Sequence, residues 1–161
     1  KYFSYLYGSV NRSNYVIENI TNKMLPTATG TKLASLESII AEEAKLRNID
    51  VNIAIRIFRA EGAGAYQSQI PRTGRGSLGG KEASFGPFQL YIGNGLGNVY
   101  QDTTGRDLTK DNTVEGITNQ IRFALDQAVT GNGWQPWAGR VPAGVAQYAG
   151  LGNARAIENY S

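Results

Sequence analysis

The chain contains no histidine and no cysteine. Their absence removes Ser/His/Asp and Cys/His triads, His- or Cys-ligated zinc, thiolate redox chemistry and haem held by either residue. If the protein is an enzyme, carboxylates are its leading actors, with no metal and no cofactor called for. Long apolar runs are missing as well, so no membrane-spanning segment is expected. Residues 1–10 carry Tyr2, Phe3, Tyr5 and Tyr7 but neither the apolar run nor the small-residue cleavage site of a secretory signal. The chain does not begin with Met, which points to a portion of a longer protein. Net charge is +3, yet the basic residues are scattered in loose groups such as Arg56/Arg59 and Arg72/Arg75. Nothing forms a basic arm or a nucleic-acid motif, and no nucleic-acid partner is expected. No internal repeat is visible.

What is present suffices for one domain with a core: 161 residues, 41% apolar and 18% charged. Residues 1–30 read as an appended segment or linker, ending in the turn-like Pro26-Thr-Ala-Thr-Gly30, and residues 31–161 as the functional domain. A first helix is expected from about Thr31 to Arg47. Leu33, Leu36, Ile40 and Ala44 recur at helical spacing, Glu42, Glu43, Lys45 and Arg47 cover the wet face, and Asn48 ends it. A second starts at an Asp50 N-cap and runs to Glu61 before Gly62 and Gly64. In it Val51, Ala54, Ile55 and Phe58 form one stripe and Ile53, Ile57 and Ala60 fill much of the remaining circumference, so it reads as a core helix. From Gly62 to Asn98 the chain is glycine-rich and irregular, with room for a small hairpin lobe. Asn112-Thr-Val-Glu115 has the pattern of a capping box ahead of a third helix, stopped by Gly131 and Gly133. Pro142 is placed to open a helix through Ala149, and a last short helix contains Ala154, Ile157 and Tyr160. The fold class expected is α+β, predominantly α-helical.

Glu61 is the most informative residue. A carboxylate at a helix C-terminus meets the negative end of the helix dipole, and partial burial further disfavours its charged form, so both effects raise its pKa. That is how a general acid is made; the alternative is a solvated Glu in the last turn. The stretch Ser84-Phe-Gly-Pro-Phe-Gln-Leu90-Tyr91 sets Ser84 and Gln89 among Phe88 and Tyr91 beside a Gly-Pro pair. It suits a cleft wall that hydrogen-bonds an acetamido group and stacks on a sugar's apolar face. It equally suits a hairpin that packs Phe85 and Phe88 into the core.

Taken in order, these motifs resemble the Glu motif and the Ser-x-Gly-x-x-Gln motif of goose-type lysozymes and lytic transglycosylases. The closer resemblance is to phage virion-associated peptidoglycan-degrading domains, which share the acid, a Gly-Gly turn leading into a Ser-Phe-Gly-Pro-Phe-Gln-Leu loop (here Gly79-Gly80-Lys-Glu-Ala-Ser84 to Leu90), a Phe-Ala-Leu-Asp helix and a Gly-Trp-x-Pro-Trp segment. Here the last two are Phe123-Ala-Leu-Asp126 and Gly133-Trp-Gln-Pro-Trp137. The resemblance covers about residues 33–151. It implies a lysozyme-like fold with a small glycine-rich lobe after the catalytic helix, Glu61 as catalytic acid, and Ser84 and Gln89 in the cleft. It also implies a phage virion location with action at the host wall in the periplasm during DNA entry, bacterial peptidoglycan as partner, and other virion proteins joined through a longer chain.

The chain departs from transglycosylases at Ala146-Gln147-Tyr148-Ala149-Gly150. The family's Tyr, which helps position the acid, falls on Gln147; Tyr148 either substitutes for it or is core, or the acid is held by another group. Trp134 and Trp137 are either packing or sugar platforms. No second carboxylate stands at a short spacing from Glu61. Glu82 in the cleft loop is the reserve candidate, while Glu115 and Asp126 fall on a helix and read as solvated. The expected reaction is therefore a single-Glu one: Glu61 protonates the glycosidic oxygen, the substrate's N-acetyl group assists at the anomeric carbon, and Glu61 then acts as base toward the sugar's C6 hydroxyl, giving a 1,6-anhydro product. The alternatives are a hydrolytic muramidase with the same acid and, from another class, a non-catalytic glycan-binding or structural virion module.

Overall fold

A computed structural model of the protein describes the backbone of residues 29–160 and the side chains of residues 35–156. The expected appended segment lies outside the described residues apart from its last two, Thr29 and Gly30, which are already helical.

Helix α1 (Thr29–Leu46) buries Leu36, Ile39, Ile40 and Ala44. Asn48 ends it in the left-handed conformation, at φ 58°. The Asn48 N–H donates to Lys45 O and the Ile49 N–H to Ala44 O, so the chain closes as a Schellman turn. Helix α2 (Val51–Glu61) begins where Asp50 Oδ1 accepts the N–H groups of Asn52 and Ile53 at 2.9 and 3.4 Å. It is amphipathic rather than wholly buried. Ala54, Ile57 and Phe58 are inside, but Asn52, Arg56, Arg59 and Ala60 are exposed. The Gly62 N–H closes the helix on Phe58 O.

Two small antiparallel sheets follow. Strands β1 (Ser77–Leu78) and β2 (Lys81–Glu82) form a hairpin with Leu78 opposite Lys81. Its turn needs positive φ at both central positions, which Gly79 and Gly80 supply at 63° and 77°. Strands β3 (Ser84–Phe85) and β4 (Leu90–Tyr91) pair across the Gly86–Gln89 loop. Helix α3 (Leu96–Thr104) was not legible among the glycines of this stretch; Asn98 Oδ1 secures its start by accepting the Asn94 and Gly95 N–H groups. A 3-10 turn (Leu108–Lys110) leads to helix α4 (Val114–Thr130). Its cap is Thr113, one residue after the expected Asn112, with Thr113 Oγ1 accepting the Gly116 N–H at 3.0 Å.

The helix surrounded on all sides is α4, in which every residue from Gly116 to Asp126 is buried. This overturns the reading of Asp126 as solvated, and of Glu43 and Arg47 as wet-face charges. Arg47 Nε donates to Asp126 Oδ1 at 2.7 Å and its Nη1 to Glu43 Oε2 at 2.7 Å, while Arg122 Nε donates to Glu43 Oε1 at 3.0 Å. Burial works against the Arg47 charge, but Asp126 and Glu43 more than offset it and hold the guanidinium above its ordinary pKa. The network clamps α1 onto α4; removing one partner of such a pair costs about 3–5 kcal/mol, because it strands a buried charge.

The helix expected from Pro142 to Ala149 does not form. A 3-10 turn (Ala138–Arg140) precedes Pro142, and turns continue through Gly150. Gly144 takes a left-handed φ of 70°, which breaks helical continuation two residues after Pro142. The segment is anchored instead by its indoles: Trp134 Nε1–H donates to Ala149 O and Trp137 Nε1–H to Phe88 O, both at 2.8 Å. Helix α5 (Gly152–Tyr160) closes the described chain and buries Ala154. The architecture is α+β and mostly helical. No helix among the described residues is long and apolar enough to cross a membrane.

Candidate active site

Glu61 ends α2 at the edge of a cleft of about 520 Å³, whose walls include Ala60, Gln67, Ile70, Pro136 and Ala138. Glu82, Ser84, Gln89 and Tyr91 line the same cleft, so five of the residues singled out in the sequence come together.

The end of α2 and the Gly86–Gln89 loop touch backbone to backbone. A Cβ on Gly62 would stand 1.9 Å from the Pro87 carbonyl oxygen, so only glycine allows this approach. The carboxylate is held from the other side by the 3-10 turn at Ala138–Arg140, where the Gly139 N–H donates to Glu61 Oε1 at 2.7 Å. Glu61 is half-buried, and its pKa lies above the ordinary Glu value. Burial is the main cause; the Gly139 N–H opposes it and the nearby charge of Glu82 adds to it.

Opposite stands the wall of β2, β3 and β4. Ser84 is buried, and its hydroxyl donates to Glu82 Oε1 at 2.8 Å, so this serine orients the second carboxylate and is not aimed at Glu61. Arg72 approaches the same carboxylate, Nη1 to Oε2 at 3.8 Å, with its guanidinium 5.2 Å from the centre of the Tyr91 ring. Gln89 adopts φ 46°, a left-handed conformation that costs a non-glycine residue about 1–2 kcal/mol. Its Nε2 donates to Gly86 O at 3.0 Å and to Tyr66 O at 3.3 Å, which fixes the amide and leaves its carbonyl oxygen free to accept.

Four expected contacts fall elsewhere. Phe88 is fully buried and meets Trp137 edge-on at 6.0 Å; Trp134 and Trp137 are also buried and pack against each other at 5.8 Å. These three rings are core beneath the cleft, and their large apolar area is better removed from water than offered to a ligand. Tyr148 is exposed and carries the Arg155 guanidinium 4.5 Å from its ring centre, away from the cleft lining. It does not hold the acid; Gly139 does.

Sequence reasoning missed Gly139 and Arg72. Gly139 acts through its backbone amide, for which residue identity carries no signal, and Arg72 was one scattered cation among several. Among the described residues no three His, Cys, Asp or Glu side chains gather as a metal-ligand set.

The arrangement is suited to proton transfer. Glu61 has Oε1 occupied by the Gly139 N–H, burial favours its neutral form more than in an ordinary Glu, and a second carboxylate faces the same space. Comparison with known proteins returns no matching family model, no matching curated protein and no matching solved structure.

Proposed function

We propose that this chain is a lysozyme-like domain that cleaves the β-1,4 bond between N-acetylmuramic acid and N-acetylglucosamine in bacterial peptidoglycan. The observation that carries the reading is the half-buried Glu61, raised in pKa and fixed by the Gly139 N–H, at the edge of a cleft walled by Ser84, Gln89 and Tyr91. The ordered motifs shared with phage peptidoglycan-degrading domains supply the substrate class. They also favour a virion protein that opens the host wall locally during genome entry.

In this mechanism protonated Glu61 gives its proton from Oε2 to the glycosidic oxygen as the bond to the anomeric carbon breaks. The carbonyl oxygen of the sugar's own 2-acetamido group bonds to that carbon and takes up the positive charge. Glu61, now a carboxylate steadied by Gly139, removes the proton of the C6 hydroxyl, whose oxygen displaces the acetamido oxygen. The products are a 1,6-anhydromuramyl end and a free 4-hydroxyl, with Glu61 reprotonated. An internal hydroxyl has a large effective-concentration advantage over water, which favours lytic transglycosylation.

A second reading, hydrolysis by a muramidase, draws support from Glu82. Its carboxylate lines the same cleft and acts electrostatically on Glu61, which makes it the candidate base for an attacking water in this reading. Digestion of purified peptidoglycan separates the readings. Anhydro ends support the transglycosylase and reducing ends the muramidase, while binding without cleavage leaves a glycan-binding module.

A further inference from the structure

Arg72 stands out among the arginines near the cleft because its side chain is fixed while the end of its guanidinium makes no hydrogen bond among the described residues. Its backbone N–H donates to Gly80 O at 2.9 Å, which ties the residue to the β1–β2 hairpin. Its Nε donates to Arg75 O at 3.1 Å, and the Tyr91 ring lies under the guanidinium. The distance from Nη1 to Glu82 Oε2, 3.8 Å, is an ion pair but too long for a hydrogen bond. Neither Nη1 nor Nη2 has a hydrogen-bond acceptor among the described residues, and the side chain is 42% exposed within the cleft lining. Other arginines of the fold differ: Arg59 forks onto Glu37 and Arg106 onto Asp111, while Arg122 reaches Glu43 and Arg155 reaches carbonyls at the end of α4.

A guanidinium held by its Nε and by a ring face, with neither terminal nitrogen hydrogen-bonded, matches a planar two-oxygen anion. Glu82 beside it limits how much negative charge the place accepts, which suits a single carboxylate better than a dianionic phosphate. Of the chemistry in a peptidoglycan strand, carboxylates occur only on the muramic acid side, on its lactyl group or on the peptide attached there; N-acetylglucosamine has none.

We infer that Arg72 is a specificity-determining residue that binds a carboxylate carried by the muramic acid substituent, so that the cleft selects acidic muramyl strands over uncharged N-acetylglucosamine polymers. The inference rests on the muralytic reading above and adds the recognition element to it. Glu61 does the proton transfer, whereas Arg72 sets which sugar is presented to it.

The test uses the full 161-residue chain in six forms: parent, Arg72→Gln and Arg72→Lys, each with Glu61 intact for turnover and with Glu61→Gln for equilibrium binding without turnover. The probes are chitin oligosaccharides, peptide-bearing glycan strands, strands stripped of peptide so that only the lactyl carboxylate remains, and strands whose carboxylates have been amidated. Arg72→Gln should weaken binding of carboxylate-bearing strands and raise their KM by roughly 10-fold or more, the range for losing a charge-assisted hydrogen-bonded contact, with kcat little changed. Arg72→Lys should recover part of the loss. Chitin oligosaccharides and amidated strands should bind parent and variant alike. The lactyl carboxyl is tied up as an amide while the peptide is attached and becomes a carboxylate only on stripping. An effect confined to stripped strands therefore assigns the contact to the lactyl group, an effect confined to peptide-bearing strands assigns it to the stem peptide, and an effect on both shows that either carboxylate can occupy the place. Equal loss on charged and uncharged glycans, or no loss on either, overturns the inference while parent cleavage of peptidoglycan leaves the muralytic reading standing. A parent that neither binds nor cleaves any strand overturns that reading itself.

Discussion

The backbone N–H of Gly139 donates to Glu61 Oε1 across 2.7 Å, joining two residues 78 positions apart in the chain. The loop that carries Gly139 follows Trp137, whose indole is hydrogen-bonded to Phe88 O in the cleft loop. One core indole therefore sets the loop that holds the acid against the wall that faces it. A Cβ on Gly139 would lie 2.7 Å from Glu61 Oε1 and 3.0 Å from the Ala60 Cβ. Gly139→Ala should displace the carboxylate and lower kcat by about 100-fold, in line with the sensitivity of catalysis to small misplacements. The melting temperature should move little, and kcat on solubilised peptidoglycan with a thermal melt checks both. Unchanged turnover in the variant would mean that the Gly139 contact does not position the acid.

The raised pKa of Glu61 gives a stability signature of its own. Burial makes the folded state hold this proton more tightly than the unfolded chain does. By linkage, that contribution is complete below the unfolded value of about 4.3 and is lost as pH rises through the folded one. Glu61→Gln keeps the shape and an oxygen for Gly139 without the buried charge. The variant should therefore melt higher than the parent at neutral pH, with the difference closing toward about pH 4. A variant less stable than the parent at neutral pH contradicts the assignment.

Glu82 contributes to the same shift through its negative charge. Removing that charge lowers the Glu61 pKa. Because an acid works only while protonated, the alkaline limb of the kcat/KM profile should move to lower pH in Glu82→Gln. Its position tests the electrostatic coupling, and the height of the plateau reports separately on any direct role in turnover. A limb that stays in place would show that the two carboxylates do not interact.

Gln89 combines a strained backbone with a side chain in the cleft, and two substitutions separate them. Both Gln89→Ala and Gln89→Gly lose the amide and should lose about 1–3 kcal/mol of transition-state stabilisation. Glycine also relieves the left-handed φ, so Gln89→Gly should be about 1 kcal/mol more stable than Gln89→Ala. Denaturant melts and kcat/KM together give the comparison. Activity that tracks stability across the pair would reduce Gln89 to a structural residue.

Local chemistry explains what was legible in the sequence. Asp50, Asn48 and Gly62 act on backbone groups within a few residues of themselves, so the ends of α1 and α2 and the position of Glu61 could be read directly. The Glu43, Arg47 and Asp126 network could not. Arg47 and Asp126 are 79 residues apart, and before α4 is placed across α1 each charge has the pattern of a solvated face. The same limit applied to Trp134, Trp137 and Phe88, since an aromatic that stacks on a sugar and one that packs under a cleft have the same sequence. Pro142 was misread because a favourable helix start was weighed without Gly144, whose left-handed backbone ends the turn. Arg72 became visible only when β4 brought Tyr91 beneath it.

The most direct measurement of the central claim is mass spectrometry of the fragments released from purified peptidoglycan by the parent and by Glu61→Gln. The account predicts soluble muropeptides with 1,6-anhydro ends from the parent and a loss of at least about 100-fold in their release by the folded variant, since general acid/base catalysis contributes on that scale. Fragments one water heavier would transfer the second step to water and make Glu82 the first candidate for its base. Undiminished release by folded Glu61→Gln, or none from the parent, would contradict the claim that Glu61 cleaves the wall.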